Sequence, residues 1–312
     1  MEAITTMITP YTKTGEVDYE TARKYVDWYF ENGLTGIFAI CQSSEIFLLS
    51  LDERIKLNKV VYERAKELEK VSGKPFTVVS SGHVSDSIED QIAELNAVWE
   101  SGTDALILIT NRLAKADESD DVWIANCERI IAALPSDVKL GLYECPYPYK
   151  RLVTPKVLDY CLSTGKFRYM KDTCCDASII KERVRQLEGS EFMLLNANCQ
   201  TLLQSLKDGG QGYCGIMANF HPALYSWLIE NFEREPEKAE EVQGVIGTFG
   251  FIESGLPYPL SAKHNMTLCG MPTENSARNR PGEMLSEYGK SCVSQMKYAT
   301  DMMEKRLMGK EK

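Results

Sequence analysis

The sequence predicts an α/β fold, a (β/α)8 barrel of the TIM type carrying a C-terminal helical appendage. Three observations predict it. Short apolar runs of β type alternate eight times with amphipathic stretches of helical period. The apolar runs are continuous, as strands of a parallel sheet covered on both faces require. After the eighth run the alternation stops and only helical patterns follow. A chain of 312 residues suits one such barrel and its core.

Strand one, Ala3 to Ile8, leads to a helix over Tyr19 to Asn32, and strand two, Gly36 to Ile40, to a helix over Leu51 to Leu68. Strand three is Phe76 to Ser80. The helix after it, Ser87 to Ser101, is opened by Asp86 and Ser87 as capping residues, with Glu89 and Asp90 in its first turn. Strand four, Ala105 to Ile109, precedes a helix over Asp120 to Ala133. Strands five to eight are Lys139 to Tyr143, Phe167 to Lys171, Phe192 to Asn196 and Tyr213 to Met217. Gly33, Gly102, Gly165 and Gly210 follow helical patterns, where a left-handed cap is free of the Cβ penalty. The barrel is expected over residues 1–231 and the helical extension over 232–312. Pro222 to Lys312 reads as helical throughout, broken into segments at Pro257, Pro259, Pro272 and Pro281, with a frayed end at Lys310 to Lys312.

The formal charge of -10 argues against nucleic acid and anionic membrane as partners, because both attract a basic face. No run of eighteen apolar residues and no secretory leader pattern is seen, so a soluble, cytoplasmic protein is expected. The ten cysteines are dilute and mostly lie in apolar segments, which fits buried thiols in a reduced compartment. None forms a C-x-x-C pair, and His83, His221 and His264 are scattered, so neither a metal site nor a cofactor is expected.

In a barrel of this kind the reacting groups sit at the C-terminal ends of the strands. Lys171 ends strand six. An amine held there with little access to water attacks a ketone to form a Schiff base, since desolvation disfavours the ammonium form. Tyr143 ends strand five, one strand away, and its phenol can relay protons to and from the carbinolamine. The alternatives are a lysine reaching out to solvent and a core tyrosine bonded to backbone. The loop Glu144 to Arg151 follows, rigid and aromatic. Tyr149, Lys150 and Arg151 are its candidate contacts to the distal half of a substrate, with Tyr147 as a second stacking group. Gln42, Ser43 and Ser44, in the run Cys41 to Glu45 after strand two, offer polar groups able to bind a small carboxylate, although serines in a turn are more often local caps. Cys214 and Gly215 on strand eight complete the candidate substrate-binding set.

Taken in order, these places resemble the pyruvate-dependent aldolase superfamily of dihydrodipicolinate synthase and N-acetylneuraminate lyase. Thr9-Pro10-Tyr11 with Gly15-Glu16-Val17-Asp18 resembles the family's opening T-P-F and G-x-[IV]-D. Cys41 to Glu45 followed by Leu51-Asp52-Glu53-Arg54 resembles G-T-T-G-E and L-x-x-E-E-R. Tyr143 with Pro146 resembles Y-N-x-P, Lys171-Asp172-Thr173 resembles K-E-[AS], and Gly209-Gly210 with Gly212 resembles G-G-x-G. The resemblance implies a Schiff-base lysine at Lys171, a proton-relaying tyrosine at Tyr143, a substrate carboxylate held at Gln42 and Ser43, and a homotetramer built as a dimer of dimers.

The departures narrow the expectation. Cys41 and Ser44 stand where the family has glycine, and Gln42 where it has the first threonine of the hydroxyl relay. Thr110-Asn111-Arg112-Leu113 replaces T-P-Y-Y, and Pro148 stands where the synthases carry an arginine. Dihydrodipicolinate synthesis itself is therefore disfavoured. The leading expectation is a lyase, either an aldolase or a sugar-acid dehydratase, acting on pyruvate or another 2-keto acid. The competing one is a barrel that binds the keto acid without turning it over.

Overall fold

The computed structural model describes residues 1–309 and shows a closed barrel of eight parallel strands in chain order, with the last strand paired to the first. The strands are β1 (Glu2–Thr6), β2 (Gly36–Phe38), β3 (Thr77–Ser80), β4 (Ala105–Ile109), β5 (Leu140–Tyr143), β6 (Phe167–Asp172), β7 (Met193–Asn196) and β8 (Gly212–Gly215). Every expected strand is present, but three end two residues early, β1 at Thr6, β2 at Phe38 and β8 at Gly215. β2 gives way to two 3₁₀ turns, Gln42–Ser44 and Ile46–Leu48. β8 stops at Gly215 because Ile216–Asn219 coils, with Asn219 Nδ2 donating to the Ile216 carbonyl at 2.9 Å.

Around the barrel run α1 (Tyr19–Glu31), α2 (Leu51–Ser72), α3 (Ile88–Glu100), the single turn α4 (Thr110–Leu113), α5 (Asp120–Ala133), α6 (Pro155–Thr164), α7 (Ala177–Leu187), α8 (Leu202–Lys207) and α9 (Pro222–Asn231). Local chemistry sets their ends. Ser50 and Glu53 cap the start of α2 reciprocally, worth about 1 kcal/mol, and Gly73 ends it in the left-handed region. The left-handed residue before β8 is Gly209, with φ +101°, and not Gly210 as expected. Gly210 is needed for a different reason, since a Cβ there would stand 2.5 Å from Ser205 Oγ.

Side chains divide by strand parity. Leu106, Leu108, Leu142 and Leu194 face the helices in an outer core, while Phe38, Ile107, Tyr143 and Leu195 belong to a core that fills the barrel. Between β5 and β6 the register slips by one residue. Leu140 pairs with Phe167, but Gly141 already pairs with Tyr169 and Tyr143 with Lys171, leaving Arg168 as the unpaired residue of a bulge. Gly141 permits the close approach, because a Cβ there would lie 2.7 Å from the Tyr169 carbonyl oxygen. The bulge decides the site.

The C-terminal extension comprises α10 (Pro236–Ser254), α11 (Leu260–Leu268) and α12 (Glu287–Met308). It is not helical throughout, as the sequence suggested: residues 271–286 form no helix, with Pro272 and Pro281 each removing a backbone donor. This segment folds back to the barrel mouth, where the Arg278 guanidinium pairs with Glu53 at 2.7 Å and donates to the carbonyls of Leu48 and Gly15. The frayed end expected at Lys310 to Lys312 lies outside the described residues. Among those described, no helix is long and apolar enough to cross a membrane.

Within this extension Glu253 is buried, its carboxylate accepting from Ser261 Oγ at 3.3 Å, and burial raises its pKa from 4.5 to about 7. The folded protein then binds more protons than the unfolded chain between these two values. Stability is fully retained below about pH 4.5, falls as the pH climbs through that window, and stays lowered above it. Glu253→Gln is expected to match wild type at pH 4 and to exceed it at pH 8 by up to about 3 kcal/mol, measured by denaturant unfolding.

Candidate active site

The register places Tyr143 and Lys171 side by side at the C-terminal rim, both turned into the barrel and both buried. Lys171 Nζ stands 4.1 Å from the centroid of the Tyr143 ring and 5.7 Å from that of Phe38, and the two rings meet edge to face with centroids 5.6 Å apart. The amine thus lies over an aromatic face. A cation formed on this nitrogen is stabilised there by about 1 kcal/mol. Below it is a void of about 10 Å³, room for about one water, bordered also by Ile107, Tyr169, Leu195 and Cys214.

Desolvation first, and then the neighbouring Cys145 and Cys41, push the Tyr143 phenol well above its ordinary pKa, so at neutral pH it is a proton donor. The hydroxyl donates to Gln42 Oε1 in a long contact of 3.5 Å, and the Cys145 thiol donates to the same oxygen at 3.3 Å. Burial raises the Cys145 and Cys214 thiols, the latter to about 12, which keeps both protonated and non-nucleophilic.

The loop after β2 is held from within. Ser43 Oγ donates to Thr6 Oγ1 at 3.1 Å, and Thr9 Oγ1 donates to the Ser44 carbonyl at 2.7 Å. Ser44, named as a substrate contact, is turned inward instead: its hydroxyl lies 2.8 Å from the carbonyls of Met7 and Ala39. Cys41 is extended, so the missing glycine costs nothing there. The left-handed residue is Glu45, at φ 61°, with Oε1 accepting from Asn279 N at 2.9 Å and Oε2 3.6 Å from buried Lys263 Nζ. Burial lowers the Lys263 pKa to about 8.

The three distal candidates have other partners. Tyr149 donates to the carbonyls of Asn111 and Ala114, Lys150 to that of Thr173, and Arg151 to those of Lys115 and Glu118 while pairing with Asp120 at 2.9 Å. The loop faces that way because the Asn111 side-chain amide donates to three of its carbonyls, those of Cys145, Tyr147 and Tyr149. Tyr147 turns toward the site and packs edge to face on Phe47 at 4.9 Å. His83 is structural, its Nδ1 2.8 Å from Gln91 Oε1 and its Nε2 accepting from Ile109 N at 2.7 Å.

Sequence reasoning missed two supports. Tyr258, from the turn before α11, brings its hydroxyl beside Ser43 and Thr6, where it accepts from Asn219 Nδ2 at 3.3 Å. No sequence signal connects these distant segments. Arg183 on α7 bridges Glu144 at 2.7 Å and Asp172, the two acids that directly follow Tyr143 and Lys171, and all three are buried. Glu144 also accepts from the backbone N–H groups of Val153 and Thr173 at 2.7 and 2.9 Å, and Asp172 from that of Cys174 at 2.8 Å. Here a signal existed, since an acid one step after each rim residue must point out of the barrel and find a cation.

Comparison with known proteins agrees with this architecture. A profile described as the Dihydrodipicolinate synthetase family matches residues 1–298. The 4-hydroxy-tetrahydrodipicolinate synthase of Pseudoalteromonas atlantica is 24% identical over 267 residues, covering 84% of this chain and 86% of that protein. The solved 4-hydroxy-tetrahydrodipicolinate synthase of Methylacidiphilum fumariolicum superposes with a TM-score of 0.84 at 18% identity, over 99% of both chains. YagE of E. coli K12, solved in complex with pyruvate, superposes with a TM-score of 0.82 at 18% identity, over 97% of this chain and 99% of that one.

Proposed function

The chain belongs to the dihydrodipicolinate synthetase family, whose members are lyases of the class I aldolase type, and from that premise we propose that it cleaves or forms a bond of a 2-keto acid through an imine on Lys171. The observation that carries this reading is the pairing of Tyr143 with Lys171 across β5 and β6, which sets the buried amine over a protonated phenol. In its free form the amine adds to the ketone carbon. Tyr143 donates its proton to the departing hydroxyl, which leaves as water and gives the iminium. The resulting phenolate takes the proton of the substrate hydroxyl as the carbon–carbon bond breaks and its electron pair enters the iminium. Tyr143 then reprotonates the enamine carbon, and water hydrolyses the imine. The substrate carboxylate is assigned to Gln42 and Ser43, with Cys214 and Gly215 on β8, two strands from β2, as further contacts.

The test is to incubate the protein with pyruvate and borohydride and read peptide masses. A reduced pyruvate adduct on Lys171 is expected. Tyr143→Phe should still give adduct, while steady-state turnover falls about 10²–10⁴-fold, the usual worth of a positioned acid–base group. Unchanged turnover would remove Tyr143 from the mechanism. The expected assembly in solution is a homotetramer, which light scattering can check.

A further inference from the structure

We propose that the cleft above Gln42 is the distal substrate subsite and that it takes an uncharged aryl group, so that the substrate is a 4-aryl-4-hydroxy-2-keto acid, cleaved to an aryl aldehyde and pyruvate. The inference rests on the imine reading above and adds the substrate class. The cleft, about 290 Å³, is lined by Gln42, Glu45, Phe47, Leu48, Tyr147 and Asn279. A cavity of about 150 Å³ already admits benzene, so a substituted ring fits here.

Three features of the cleft select that group. The first is shape and polarity. Phe47 and Tyr147 meet edge to face at 4.9 Å beside Leu48, giving an aromatic and aliphatic wall on which a planar ring packs. The second is charge. Glu45 is the one carboxylate among the described residues of the wall, its Oε1 accepting from Asn279 N–H at 2.9 Å and its Oε2 lying 3.6 Å from Lys263 Nζ. Among the described residues no cation lines the cleft, so a carboxylate or phosphate on the distal fragment would be desolvated without a partner.

The third is the orientation of the Gln42 amide. Tyr143 O–H and Cys145 S–H both donate to Oε1, which fixes the flip of the carboxamide and leaves Nε2 with no acceptor among the described residues. Gln42 lines the cleft and also touches the tyrosine of the reacting pair. Of its two Nε2 hydrogens, one serves the substrate carboxylate as assigned above, and the other can donate to the oxygen on the carbon that bears the ring. One donor suits an aryl carbinol. A polyol chain would leave most of its hydroxyls facing hydrocarbon, a loss of several hydrogen bonds to water.

The cleavage step balances without a further reactant. The bond between C3 and C4 breaks, its electron pair enters the iminium on Lys171, the 4-hydroxyl proton passes to Tyr143, and aryl aldehyde leaves. Protonation at C3 and hydrolysis return pyruvate and the free amine.

The test measures kcat/KM in the synthetic direction, with pyruvate and benzaldehyde, glyceraldehyde or succinic semialdehyde as the acceptor. Benzaldehyde should exceed each of the others at least about tenfold, within the range that an apolar pocket supplies. Phe47→Ala and Tyr147→Ala should each shrink the benzaldehyde to glyceraldehyde ratio about tenfold, mainly through KM for benzaldehyde, a change that general damage to the fold does not produce. Preference for glyceraldehyde or succinic semialdehyde, no turnover of benzaldehyde, or an unaltered ratio in both variants overturns the aryl assignment. Borohydride trapping with pyruvate alone separates the two levels: with an adduct on Lys171 such a result rejects the subsite only, whereas absence of the adduct rejects the imine reading and this proposal together.

Discussion

Lys171→Ala is expected to abolish both the borohydride-trapped pyruvate adduct and turnover, with kcat falling at least about 10⁴-fold while the protein stays folded. In the proposed mechanism every covalent step passes through this nitrogen, and no other described lysine shares its setting. Lys263, the other buried lysine, is engaged with Glu45, Tyr11 and the Ser276 carbonyl. Truncating Lys171 removes an amine that carries no ion pair among the described residues and leaves a space open to the existing void, so the stability cost should be small beside the catalytic one. The readouts are intact and peptide mass after reduction, turnover with the aldehyde panel, and circular dichroism. An adduct that persists on another lysine in Lys171→Ala would sink the assignment.

The second large effect is on stability. Arg183→Ala is expected to lower the unfolding free energy by about 3–5 kcal/mol, because it leaves the buried carboxylates of Glu144 and Asp172 without their cation. Arg183→Lys should recover only part of this, since one ammonium cannot reproduce a planar fork that reaches two acids and the Val153 carbonyl at once. Combining Arg183→Met with Glu144→Gln and Asp172→Asn should recover more than Arg183→Lys, because no charge is then left buried alone. Denaturant midpoints of the variants decide the matter, and equal midpoints for wild type and Arg183→Ala would refute it. The clamp ties the residues that directly follow Tyr143 and Lys171, so Arg183→Ala should also lose adduct yield where it remains folded.

Between them these residues show how far the chain could be read before its structure was known. The positions of Lys171 and Tyr143 at strand ends were visible, because an apolar run that stops at a lysine or tyrosine marks a rim. The roles of Tyr149, Lys150 and Arg151 were not visible, because direction in a loop depends on what it binds. Here that is the amide of Asn111, on the turn after β4, more than thirty residues earlier. Glu45, Lys263 and Asn279 likewise come together only because residues 271–286 fold back across the barrel mouth.

The sequence by itself determined the eight β/α units, the barrel they form and the two rim residues most able to carry chemistry, because burial on two faces and helical period are local patterns written within each segment. Tertiary structure alone decided that those residues meet. Without the bulge at Arg168, Tyr143 would pair with Met170, which faces the helices, and the side chain of Lys171 would sit out of step with it. Strand register is set by closure of the whole ring and by how closely Gly141 lets neighbouring backbones approach, and no single segment carries that information.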